Sequence, residues 1–191
     1  ERGAGQQMKG ATLFPSNMAI SATGDSYNAY LQGEITAKEA KALGIHIIFA
    51  PVLDVNNNPN NPIINLRSYG DDSNIVSDFG LQFIKGIQDQ GLYACPKHFP
   101  GHGNTSVDSH SSLPIINSSL SELNNIELKP FKNAVDNNVK MMMMAHIAVP
   151  ALDASNKPAS HSYKITTDLL INNWNFNGLV ITDGMEMGGI T

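Results

Sequence analysis

The chain of 191 residues is 41% hydrophobic and 15% charged with a net charge of -5, which suits one folded domain with enough chain for a sizeable core. No basic run offers itself to nucleic acid or an anionic membrane, and no apolar run approaches the ~20 residues that a membrane span needs. The lone cysteine, Cys95, cannot close an internal disulfide and says little of compartment. The chain opens at Glu1 without a methionine, so the lack of a signal peptide is uninformative and cytoplasm and periplasm both stay open.

In chain order, residues 1–24 carry Gly3, Gly5, Gly10 and the run Thr12-Leu13-Phe14-Pro15, and read as a loop leaving an earlier strand. Residues 25–43 place Tyr27, Tyr30, Leu31, Ile35, Ala40 and Leu43 among polar residues ahead of Gly44, the pattern of an amphipathic helix in which Gly33 is a weak point. Ile45 to Asp54 is nearly all apolar and reads as a buried parallel strand, with His46 a core or edge residue. A polar, proline-punctuated loop over 56–62 then delivers Arg67. The stripe Ile75, Phe79, Phe83, Ile84 and Ile87 predicts a helix over 73–90, ended by Gly91 and followed by a strand from Leu92 to His98.

Ser119 and Glu122 have capping-box spacing before a helix running to about Val135, which Pro130 either kinks or divides in two. Residues 139–146 form a strand whose four consecutive methionines, Met141 to Met144, suit core packing better than a soft-metal site. A helix over 166–174 and a strand over 179–182 complete the series, with Asp183 at the last strand's end. Strands alternating with helices, and no hairpin signals, imply parallel pairing with right-handed crossovers. Asp54, Lys97, His98, His146 and Asp183 all fall at strand C-terminal ends, which meet at one mouth in a (β/α)₈ barrel. A doubly wound sheet is the alternative, but no glycine-rich phosphate loop follows any strand. Only part of a barrel, which needs about 250 residues, is expected here.

The densest chemistry lies in Lys97-His98-Phe99-Pro100-Gly101-His102-Gly103 and Asp108-Ser109-His110. Three readings compete: a turn with incidental histidines, a metal site on His98, His102, Asp108 and His110, and an acid/base site in which Asp108 orients His110. Pro100 and Gly101 break any helix that could present His98 and His102 as paired metal ligands.

These two segments resemble the signature of glycoside hydrolase family 3, in its β-N-acetylhexosaminidase branch. The resemblance extends to Asn65-Leu66-Arg67-Ser68-Tyr69-Gly70 and Ile181-Thr182-Asp183-Gly184-Met185-Glu186-Met187, and so spans essentially the whole chain. It implies a barrel, with residues 1–191 one incomplete N-terminal catalytic domain, and a bacterial retaining exo-β-N-acetylglucosaminidase acting on peptidoglycan fragments or related amino sugars. It assigns the nucleophile to Asp183, the proton shuttle to His110 with Asp108 beside it, and sugar binding to Arg67, Lys97 and His98. The residues themselves agree: Asp183 ends an apolar strand beside a glycine, and histidine shuttles protons near neutral pH.

More ordinary roles stand beside these: an N-cap for Asp183, an Asx turn for Asp108, and a surface ion pair with Asp71 or Asp72 for Arg67. Asp54 and His102 are read as scaffold. That chemistry calls for no cofactor and no metal; the partner is a carbohydrate, and further domains can follow the barrel. One departure concerns Glu1-Arg2-Gly3-Ala4-Gly5-Gln6-Gln7, where the family's acidic sugar-binding residue would precede Glu1 and Gln7 stands roughly in an arginine's place. Rival functions are a family 3 phosphorylase or β-glucosidase, a non-catalytic sugar-binding remnant, and a metallohydrolase using His98, His102 and Asp108.

Overall fold

A computed structural model describes residues 1–109 and 112–188. Four parallel strands follow in chain order among the described residues: β1 (Ile47–Ile48), β2 (Tyr93–Ala94), β3 (Met141–Met144) and β4 (Leu179–Thr182). Ile47 lies opposite Tyr93 and Ile48 opposite Ala94, while β3 and β4 pair from Met141 opposite Leu179 to Met144 opposite Thr182. Between β2 and β3 the ladder continues beyond the end of β2: Phe99 donates to the Met143 carbonyl and Ala145 to the Phe99 carbonyl, both at 2.8 Å. Parallel strands in sequential order, joined by helical crossovers, form the arc of a (β/α)₈ barrel, only part of which lies in this chain.

The first two strands are much shorter than the apolar runs that carry them, and two prolines explain why. Pro51 and Pro96 have no N–H to give a ladder, and the Ala50 N–H turns back to the Ile48 carbonyl (2.8 Å). Pairing then resumes where Leu53 donates to the Lys97 carbonyl at 2.7 Å. Asp54 and Lys97 therefore still arrive side by side at the barrel mouth. His46 precedes β1 and is exposed, which corrects its expected place in the core; it lies at the sheet edge, where its carbonyl accepts from the Tyr93 N–H at 2.9 Å.

Six helices cover the outside of the arc among the described residues: α1 (Asn17–Ser21), α2 (Tyr27–Ala42), α3 (Ser73–Gln88), α4 (Leu120–Asn125), α5 (Lys129–Asp136) and α6 (Lys164–Asn173), the last wound as a π-helix. The helix α1 replaces part of the expected opening loop; Ser16 caps it by accepting from the Ala19 N–H at 3.3 Å. Gly33 does not interrupt α2. It sits against the Phe83 carbonyl, and Gly86 of α3 sits against the Tyr30 carbonyl, with no room for a Cβ at either place. The glycines let the two backbones touch. The capping box of Ser119 and Glu122 is formed, with bonds of 3.2 and 2.7 Å. Pro130 lies in the first turn of α5, so it divides the helix rather than kinking it.

Side chains alternate across the sheet. Ala50, Ala94, Met142 and Met144 face the helices and pack in the main core with Phe83, Phe131, Ile165 and Leu170. Cys95, Met141 and Met143 form a smaller cluster with Ile181 on the other face. All four methionines are buried, as packing residues are. Burial pushes the Cys95 thiol up to about 12, against the opposing pull of Lys97. Ile47, Phe49, Tyr93 and Leu179 remain 37–59% exposed because the arc is not closed over them. No helix of the described residues is long and apolar enough to cross a membrane.

Candidate active site

The Lys97–Gly103 segment is held by its one large apolar residue. Phe99 is fully buried, and its ring meets Phe131 of α5 and Trp174 edge-on, each at 5.5 Å between centroids. With Phe99 drawn toward the helices, Lys97 and His98 are left at the mouth of the arc. Asp54, at the end of the first strand segment, gathers the segment's backbone. One carboxylate oxygen accepts from the N–H groups of His98 (3.2 Å) and His102 (2.6 Å), and the other from His98 Nδ1 (2.6 Å). Burial works against the Asp54 charge, but the attraction of His98 and His102 and their hydrogen bonds prevail and hold its carboxyl below the usual range.

An ionised Asp54 fixes the His98 tautomer: Nδ1 carries the proton. The other ring nitrogen, Nε2, lies 3.4 Å from Arg67 Nη2. That nitrogen is 3.9 Å from Asp183 Oδ2. Asp183 tops β4; its N–H donates to the Met144 carbonyl (2.9 Å) and its Oδ1 accepts from the Gly184 N–H (2.9 Å). Its side chain keeps 28% of its surface open.

Arg67 finds its partner in neither Asp71 nor Asp72. Asp72 instead caps α3, accepting from the Asn74 N–H at 2.6 Å. Arg67 grips Glu1 with two bonds, Nε to Oε2 at 2.9 Å and Nη2 to Oε1 at 2.8 Å, and Lys97 Nζ reaches the same Oε1 at 2.8 Å. Burial would raise the Glu1 carboxyl, yet the Arg67 hydrogen bonds and the charges of Lys97 and Arg67 hold it well below the carboxylate range. Burial likewise opposes the Arg67 charge, and Glu1, with Asp54 and Asp183, outweighs it and pushes Arg67 up. Asn17 Nδ2 donates to the Arg67 carbonyl (2.7 Å) and Gln32 Nε2 to the Glu1 carbonyl (2.9 Å), so α1 and α2 fix both ends of the pair.

Sequence reasoning missed Glu1, placing the segment's acidic residue ahead of it. Its partners are 66 and 96 positions away in the sequence, and only the fold joins them.

His102 serves the loop beyond it. Thr105 donates its hydroxyl to the His102 carbonyl (3.1 Å), so His102 Nδ1 donates to Thr105 (2.8 Å) and Nε2 accepts from Ser109 (2.9 Å). Burial pushes the His102 ring below its ordinary value and keeps it neutral, Asp54's opposing charge notwithstanding. Asn61 spans the same turn, donating to the carbonyls of His102 (2.9 Å) and Gly103 (3.0 Å). Ser109, the neighbour of Asp108 and His110, is thus anchored to the motif, in keeping with a scaffold role for His102. Asp108 is half-buried in this loop, and His110 lies outside the described residues. Arg67, Lys97, His98 and Asp183 are brought together at one mouth, with Glu1 and Asp54 among them.

The model for the glycosyl hydrolase family 3 N-terminal domain matches residues 1–191. The chain belongs to glycosyl hydrolase family 3. Within the family it is 40% identical over 196 residues to a protein named β-hexosaminidase A of Pseudoalteromonas piscicida, covering 95% of this chain and 33% of that one. A family 3 β-N-acetylglucosaminidase from Paenibacillus sp. str. FPU-7 superposes with a TM-score of 0.96 at 41% identity, over 100% of this chain and 36% of that structure. A β-glucoside phosphorylase superposes at 0.93 with 30% identity, over 96% of this chain and 34% of its own. The chain therefore spans about a third of the length of these relatives.

Proposed function

We propose that this chain carries the catalytic centre of a retaining exo-β-N-acetylglucosaminidase acting on peptidoglycan fragments or related amino sugars. What supports the reading best is the Asp183 carboxylate: partly open, set at a strand end, and facing the mouth that Arg67, Lys97 and His98 line. An oxygen of Asp183 attacks the anomeric carbon as the leaving-group oxygen departs with a proton from His110, giving a glycosyl ester on Asp183. His110 then takes a proton from water, whose oxygen displaces the carboxylate and restores the original anomeric configuration. Asp108 orients the His110 ring and supports its positive charge. Arg67 and Lys97 donate to sugar hydroxyls, and His98 Nε2 hydrogen-bonds to one. Residues 1–191 are taken as one incomplete barrel domain of a longer protein, with room for a further C-terminal domain.

The β-glucoside phosphorylase likeness favours one second reading, in which phosphate rather than water takes the sugar from Asp183. The full-length protein, given a chromogenic β-N-acetylglucosaminide beside the matching β-glucoside in phosphate buffer, separates these. Free N-acetylglucosamine from the first substrate supports hydrolysis, sugar 1-phosphate supports the phosphorylase, and preference for the glucoside contradicts the amino-sugar assignment.

A further inference from the structure

His146 stands two residues beyond β3, is 1% exposed, and takes no part in the mechanism above. Both of its ring nitrogens are engaged. Nε2 lies 3.0 Å from the Gly184 carbonyl oxygen, which can only accept, so Nε2 carries the ring proton and donates it there. Nδ1 lies 2.8 Å from Ser160 Oγ and accepts from that hydroxyl in the neutral ring. Ser160 is itself fixed, since its N–H donates to the Ala145 carbonyl at 3.2 Å and that of Ala159 to the Ile147 carbonyl at 2.8 Å. The imidazole is therefore a strut between the segment after β3 and the turn after β4.

Gly184 is the residue whose own N–H holds Asp183 Oδ1 at 2.9 Å. Its N–H thus holds the carboxylate while its carbonyl is held by His146. Without a side chain, Gly184 has no Cβ packing to fix its own φ and ψ; its carbonyl is held by His146 together with the Met187 N–H, which donates to it at 3.2 Å. A ring buried to this degree, with one nitrogen spent on a backbone carbonyl and the other on a hydroxyl, is poorly placed to exchange protons with a substrate.

We infer that His146, with Ser160 behind it, is a positioning residue that sets the aim of the Asp183 carboxylate. The inference rests on the reading of Asp183 as nucleophile. Removing the strut should move the carboxylate rather than weaken proton transfer, and displacement of a reacting group by about an ångström costs up to ~10²-fold. His146→Ala should therefore slow glycosylation by natural disaccharides and by activated aryl glycosides by a similar factor, roughly 10–10²-fold in kcat with KM little changed. A proton shuttle behaves differently: its loss harms poor leaving groups selectively, and azide rescues the second step.

The test is the second-order rate at which a slow 2-deoxy-2-fluoro sugar esterifies Asp183 in the full-length protein. It is measured in wild type, His146→Ala, His146→Gln and Ser160→Ala, each normalised to the folded fraction by far-UV circular dichroism. Slower labelling in His146→Ala, partial recovery in His146→Gln (whose amide can still donate to Gly184) and a smaller loss in Ser160→Ala support the inference. Wild-type labelling rates in any folded His146 variant overturn it, as does selective loss on poor leaving groups with azide rescue. If wild type is labelled elsewhere than Asp183, the nucleophile reading itself falls, a result separate from unchanged rates at Asp183. Should His146→Ala not fold, the Gln and Ser160 variants decide.

Discussion

The two sides of the site are held in opposite ways. On one side Glu1, Arg67, Lys97, Asp54 and His98 form a continuous network at 2.6–3.4 Å, in which Glu1 is flanked by Arg67 and Lys97, Asp54 by His98, and little charge is left uncompensated. On the other, among the described residues, Asp183 bonds to backbone alone, through Met144 and Gly184, and reaches His98 at 3.9 Å. A carboxylate locked into an ion pair, like Glu1, has its lone pairs committed and is a poor nucleophile; one held from behind by backbone keeps an oxygen free to attack carbon. The contrast separates holding a sugar from reacting with it, with acidic residues on both sides.

The largest effect expected is on the reacting side. Asp183→Asn preserves shape but removes nucleophilicity, so turnover should fall by orders of magnitude while sugar binding, read by calorimetry, survives. Loss of binding with retained turnover per bound substrate would move Asp183 to the holding side.

Next in size is the proton shuttle. His110→Ala should cost ~10²–10⁴-fold on disaccharides, whose leaving hydroxyl needs a proton, and much less on glycosylation by nitrophenyl substrates. Asp108→Ala should show a weaker form of the same pattern, since the imidazole remains. Equal slowing of both substrate types in His110→Ala, with no rescue by azide, would make it a structural loop residue.

On the holding side the effects should be on stability and KM. Asp54→Ala strips the acceptor from three donors at once, and each buried donor left unsatisfied costs about 1–3 kcal/mol; its thermal midpoint should drop accordingly, and a midpoint within a degree of wild type would contradict the network's role. Acid should act on the same groups. The folded values of Glu1 and Asp54 lie below their ordinary 4.5 and 3.8, and that of His102 below its ordinary 6.5. For all three the unfolded chain takes up protons first as pH falls, so stability is full above about 6.5, begins to fall there through His102 and falls further below 4.5 through the carboxyls.

Glu1→Gln should lower the midpoint at pH 7 and flatten its decline between pH 5 and pH 3, while raising KM through loss of the anchor for Arg67 and Lys97. A variant with the wild-type acid profile would show that Glu1 is not paired in solution.

What the sequence made legible follows the range of the interactions. The apolar runs near residues 48, 94, 143 and 181 announce strands because burial in a parallel sheet demands continuous hydrophobicity, and they carry Asp54, Lys97 and Asp183 to one mouth. The same runs overstate β1 and β2, because side-chain pattern does not register the N–H that Pro51 and Pro96 lack. Helix α1 went unread although Ser16 is a good cap, since the five residues Asn17–Ser21 are too few to show a period. Gly33 reads as a weak point within its own helix and as a contact only once Phe83 is packed against it. Glu1 and the strut from His146 to Gly184 are through-space pairings, which no local pattern encodes.

The division between a holding and a reacting side is tested most directly by trapping. The full-length protein, incubated with a slow 5-fluoro-N-acetylglucosaminyl substrate that keeps the C2 acetamido group, digested and mapped by mass spectrometry, should carry one added glycosyl group on the peptide containing Asp183, at that residue. A glycosyl group on Glu1, Asp54 or Asp108 would contradict the division, because it would put the free carboxylate on the wrong side of the site.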